Sequence, residues 1–126
     1  MTDHKSPLAR DLGFDRGMKV WFRDLPSAVR AALDPDRMEF DELAAPSQGI
    51  EGSLIFVEDR DTLAKELHAF HDLLAPAGFV WVAWQSGLDE ESVREAARPC
   101  SLSPTDTAAI GDWTALKLSN RSGRDA

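Results

Sequence analysis

The sequence predicts an α/β domain of the three-layer, Rossmann-like kind. Its sheet should be mainly parallel, with about five to six strands and a C-terminal antiparallel hairpin. Three observations predict this. Short apolar runs alternate along the chain with segments of helical period. One run, Phe79 to Trp84, is apolar without a break, as strands buried on both faces are. Near the end, Thr105 to Ile110 and Thr114 to Leu118 are strand-like and joined by a tight turn at Gly111-Asp112, too short for a crossover.

Each element has its own signal. Ser6-Pro7 starts a short helix that runs through Leu12 and stops at Gly13. Met18 to Arg23 is the first strand, centred on Val20, Trp21 and Phe22. A helix then begins near Asp24, with Pro26 just inside its start, and ends before Asp34-Pro35. Arg37 to Phe40 reads as a weak second strand, and Asp41 to Gly52 as a loop or poorly formed helix. Ser53 to Val57 is a stronger strand. Leu63, Leu67, Phe70 and Leu74 then share one helix face, with Asp59 or Asp61 as cap and Pro76 and Gly78 as the stop. Leu88 to Arg98 is the next helix: Asp89 fits its N-cap, and Leu88 with Val93 makes a hydrophobic staple. Residues 1–126 read as a single domain, with flexible tails at about 1–5 and 119–126.

Composition narrows the function classes. The chain has 126 residues, a formal net charge of −8 and no basic stripe, so it would repel a phosphate backbone and nucleic acid is not expected. Cys100 is the sole cysteine, which excludes an intramolecular disulfide. No apolar segment has signal-peptide or membrane-spanning character, and the expected setting is cytoplasmic, away from membranes.

Two resemblances follow from particular residues. Leu73-Leu74-Ala75-Pro76-Ala77-Gly78, followed by Phe79-Val80-Trp81-Val82, resembles the late motif of class I methyltransferases. The terminal hairpin fits that family too, whose last strand runs antiparallel and inserts beside its predecessor. A second set is similar to a family of small bacterial proteins, domain of unknown function 3052, whose members look like reduced methyltransferase folds. It comprises Ser6-Pro7-Leu8-Ala9 with Leu12-Gly13, Gly17-Met18-Lys19-Val20, Pro26, Ala75-Pro76, Trp81-Val82-Ala83-Trp84, Val93-Arg94-Glu95 and Trp113. The chain departs from that family after the Trp-Val-Ala-Trp strand. Relatives carry a basic Ser/Gly loop there, whereas Gln85-Ser86-Gly87 is short and uncharged. The resemblance implies a fold and no established activity.

In an open doubly wound sheet, ligands bind beyond the carboxyl ends of strands where strand order reverses. If the first and third strands are neighbours, that crevice lies between Asp24 to Ser27 and Glu58 to Arg60. A dinucleotide or S-adenosylmethionine site normally needs glycine in the first loop, and Arg23-Asp24-Leu25-Pro26-Ser27 has none. Carboxylates at Asp24, Glu58 and Asp59 suit a cationic ligand, an amine or a sulfonium. Glu39 or Asp41 could hold a ribose hydroxyl. The plainer reading makes Asp24 and Asp59 helix caps and leaves Glu58 solvated. Trp84, at a strand's carboxyl end, either walls a pocket or packs in the core with Trp21 and Trp81; Trp113, at the hairpin turn, should be partly exposed. His68 and His71 share a helix face but lack further metal ligands, and Cys100 lacks a base nearby in sequence, so no metal and no nucleophile is expected.

These readings favour a non-catalytic Rossmann-like module that binds an unknown protein or small molecule, with no cofactor. The alternative is an S-adenosylmethionine- or nucleotide-binding enzyme with a degenerate glycine loop. A third possibility is a homo-oligomeric scaffold paired through the edge of the terminal hairpin.

Overall fold

The computed structural model describes residues 7–120, apart from residues 46 and 86. Pro7–Leu12 forms α1 and Lys19–Arg23 forms β1; Ser27–Leu33 and Pro35–Met38 are α2 and α3. Asp41–Glu42 is β2, Ile50–Phe56 is β3, Arg60–Leu73 is α4 and Leu74–Trp84 is β4. Glu90–Ala97 is α5, followed by a 3-10 turn at Arg98–Cys100, and the hairpin pairs β5 (Leu102–Ile110) with β6 (Trp113–Asn120). The sheet has six strands in the order β2-β1-β3-β4-β6-β5. Its first four strands are mutually parallel, and β6 inserts antiparallel between β4 and β5. Fold class and hairpin are as the sequence predicts.

Strand periodicity divides the apolar residues between two cores. On β4, Phe79, Trp81 and Ala83 face a layer with Leu12 of α1, Val29 and Leu33 of α2 and Met38 of α3. Val80, Val82 and Trp84 face the opposite layer, with Leu63, Leu67 and Phe70 of α4 and Val93 and Ala97 of α5. A strand covered by helices on both sides must be apolar at every position, which explains the unbroken run. Gly52 of β3 makes room for Phe14: a Cβ there would stand 2.8 Å from the Phe14 ring and 3.1 Å from Phe79. Its role is close approach rather than an unusual backbone angle. The buried Ser53 hydroxyl donates to the Trp21 carbonyl, and Trp81 Nε1–H donates to the Leu12 carbonyl at 2.7 Å.

Several boundaries differ from expectation. The segment read as a second strand, Arg37 to Phe40, is the end of α3 and its exit. Asp34, in a left-handed conformation (φ 54°), caps a helix that starts at Pro35. The real second strand is the exposed pair Asp41–Glu42, held through backbone pairing to Lys19 and Val20 rather than by apolar side chains. Helix α2 starts at Ser27, so Pro26 is its N-cap and Asp24 lies outside it. Pro76 and Gly78 fall within β4, which already begins at Leu74 and pairs with β3 across a register shift near Ile50. Strand β6 includes Ser119 and Asn120, which were expected in the tail; residues 1–6 and 121–126 lie outside the described residues.

Candidate functional site

Strand order places the candidate crevice. From β1 the chain crosses to β2 on one side and then returns to β3 on the other, so order reverses between β1 and β3. Register Arg23↔Ile55 sets the carboxyl ends of the two strands side by side. Of the predicted residues, Asp24, Ser27, Glu58 and Asp59 lie in the loops and helix starts that follow these ends, and all four are exposed.

Arg23, which the sequence reading had not singled out, organises this end. Its Nη1 donates to Asp24 Oδ2 at 2.7 Å and to the Phe56 carbonyl at 3.3 Å, and its Nε lies 3.3 Å from Glu66 Oε2 of α4. A guanidinium with three partners ties the end of β1 to β3 and α4. Asp24 turns the loop at φ 52°, a conformation that glycine adopts freely and aspartate tolerates. The sheet therefore makes its turn here on a carboxylate, where a dinucleotide fingerprint would have glycine.

The acids around these strands behave differently. Asp59 caps α4, accepting from Thr62 N–H at 2.7 Å and from the Thr62 hydroxyl at 3.2 Å. The backbone bond to Thr62 holds its carboxyl below the usual range. Asp24 pairs with Arg23 instead of capping a helix, and Glu58 is exposed. Glu39, offered as a ribose acid, precedes β2, at the opposite end of the sheet from the crevice, and pairs with Arg16 at 2.6 Å. The acid at the carboxyl end of β2 is Glu42, three residues further on. Arg30 of α2 grips both its oxygens, at 3.0 and 2.7 Å, and this bond raises the Arg30 pKa. Asp41 is exposed at the start of β2.

Trp84 is 5% exposed and packs in the α4–α5 core, so it does not wall the crevice. Trp81 is also buried, while Trp21 and Trp113 are half-buried, and Trp113 stands edge-on to Phe56 at 4.7 Å. His68 and Cys100, remote in sequence, line one cleft of about 500 Å³ with Lys65 and Pro99. Burial pushes the Cys100 thiol pKa up, which opposes formation of a thiolate nucleophile. The His71 side chain lies outside the described residues, and among those described no three potential ligands gather as for a metal. No described helix is long and apolar enough to cross a membrane.

No protein-family model and no curated protein matches the chain. Solved structures do match, at a level that establishes the fold. A TehB-like SAM-dependent methyltransferase from Corynebacterium glutamicum superposes with a TM-score of 0.59 at 11% identity, covering 90% of this chain and 85% of that one. For the 1,6-didemethyltoxoflavin-N1-methyltransferase of Burkholderia thailandensis, solved with S-adenosylhomocysteine bound, the TM-score is 0.59 at 15% identity, with 90% and 74% covered. Aeropyrum pernix fibrillarin, with natively bound S-adenosyl-L-methionine, gives 0.55 at 10% identity, with 82% and 67% covered. The chain therefore has the methyltransferase-like Rossmann fold. At these identities the likeness shows the fold alone.

Proposed function

We propose that this chain is a small-ligand-binding module of the methyltransferase fold, and that S-adenosylmethionine or a related adenosyl compound occupies the crevice between β1 and β3. The observation that carries this reading is Glu42. It ends β2, the strand on the far side of β1 from β3, in register with Val20, and an acid at the carboxyl end of that strand accepts hydrogen bonds from ribose hydroxyls in nucleotide-binding sheets. The residues present suit the charged ends of an adenosyl amino acid. Asp24 offers a carboxylate to an ammonium or sulfonium, and Arg23 offers a guanidinium to a carboxylate. The glycine-free first loop is the feature that fits such a ligand least. Bound there, S-adenosylmethionine would supply an activated methyl group; the chain's part is to hold and orient it. The resemblance to domain of unknown function 3052, which no family model bears out, would make the chain a reduced member of this fold.

Calorimetric titration with S-adenosylmethionine tests the reading. Binding should be measurable for the natural chain and about tenfold or more weaker for Glu42→Gln, which loses a charged acceptor. Unchanged affinity in Glu42→Gln would remove Glu42 from the site. A second reading, a non-catalytic regulator, is favoured by one observation: Arg23 and Arg30 already pair with Asp24 and Glu42. Methyl transfer to any acceptor by the bound complex would decide against it.

A further inference from the structure

Lys117 is an interior-strand lysine that, among the described residues, forms no ion pair with the acid opposite it on the neighbouring strand. It sits on β6, between β4 and β5, flanked in sequence by the buried Leu116 and Leu118, and is itself half-buried. Its cross-strand neighbour on β5 is Asp106, and such directly opposed charges ordinarily pair. Here the ammonium lies instead over the Phe79 ring, 4.5 Å from its centroid, and no ion pair forms with Asp106. A β-bulge between Pro104 and Asp106 interrupts the register there. Lys117 and Asp106 nevertheless line the same cleft, of about 300 Å³, together with Gly13 and Trp81, and with Arg10 and Asp11 at the end of α1. Gly13 (φ 84°) leaves the space the ammonium uses, since a Cβ there would stand 3.2 Å from Lys117 Nζ. Trp81 forms a fixed wall, locked by its bond to the Leu12 carbonyl.

We propose that this cleft, between the end of α1 and the β4–β6–β5 part of the sheet, binds a small zwitterion of the α-amino-acid class. Lys117 takes the carboxylate and Asp106 the ammonium. A half-buried cation held by a ring face is incompletely compensated, and a carboxylate completes it. An ammonium and a carboxylate lining one cleft without closing on each other match the two ends of a zwitterion. They suit a simple anion or a simple cation less well. The volume is at the small end for ligand pockets, which fits one amino acid rather than a dinucleotide. The residues are separate from those of the β1/β3 crevice.

The test is saturation-transfer NMR on the full chain, with free α-amino acids at millimolar concentration, their N-acetyl amides, and acetate. At least one free amino acid should show transfer, while its uncharged amide and acetate show none. Lys117→Met should abolish the signal and Asp106→Asn weaken it several-fold. Asp106 is exposed, so its variant reports even if Lys117→Met does not fold. Absence of transfer from every amino acid, equal transfer from acetate, or binding that survives both substitutions would overturn the proposal.

Discussion

Arg23, Glu42 and Gly52 show how single side chains set the properties of this sheet. Arg23 is 29% exposed in its side chain and bonds a main-chain carbonyl as well as two carboxylates. Exposed ion pairs contribute little, so Arg23→Met should cost about 1 kcal/mol, mostly through the Phe56 carbonyl, as read from urea denaturation. Gly52→Ala should cost more, about 1–3 kcal/mol, because the added methyl meets two buried rings and neither can withdraw without opening the core. A neutral result would mean that Phe14 repacks. Legibility differs among these residues. Asp24 and Asp59 were readable because a loop after a strand and a cap before a helix leave local marks. Arg23 was not, because its partners Phe56 and Glu66 come from other elements and only the strand order brings them together. Glu42, the proposed ribose acid, was not singled out, and Glu39 and Asp41 drew the expectation instead, because the strand was misplaced.

At the scale of elements, local chemistry wrote the helices and tertiary pairing wrote the weak strand. Helices α4 and α5 begin as the sequence indicates, each behind an aspartate that accepts a backbone N–H, from Thr62 at 2.7 Å and from Ser92 at 2.8 Å. Arg60 joins the two starts by donating to the Ser92 hydroxyl at 2.8 Å. The caps also make an acid-sensitivity prediction. Asp59 and Asp89 have folded pKa values below the unfolded ones, chiefly because the Thr62 and Ser92 N–H groups bond the charged form. Their stabilisation is therefore complete above the ordinary carboxylate range and drains away as pH falls through the lower, folded values. Asp59→Ala and Asp89→Ala should each lower the urea midpoint at neutral pH and flatten its fall in acid. A slope unchanged in both would place the acid sensitivity elsewhere. Strand β2 carries no such signal: two exposed acids have neither apolar alternation nor β-branching, and they are strand only because β1 offers free main-chain partners. The apolar Met38 and Phe40 just before it drew the expectation to the wrong segment, although Asp34-Pro35 is a helix start.

At the scale of the whole molecule, the alternation of strands and helices foretold the three layers. The unbroken Phe79 to Trp84 run foretold a strand buried on both faces, and the short Gly111-Asp112 link foretold the antiparallel hairpin. Function is less legible, because one sheet serves many chemistries and the site is a set of loops. The crevice could be located from strand order, but its occupant depends on charges that come together only in the fold: Arg23 with Glu66, and Glu42 with Arg30. Occupation of this crevice by an adenosyl ligand, as proposed, is tested by thermal unfolding followed by tryptophan fluorescence. S-adenosylmethionine, S-adenosylhomocysteine and ATP are each added at millimolar concentration. A ligand at about 100 times its dissociation constant stabilises the fold by roughly 2.7 kcal/mol, several degrees for a domain of this size. Such a rise is expected with at least one adenosyl compound, and should be lost in Glu42→Gln. No rise with any of the three would contradict the proposal.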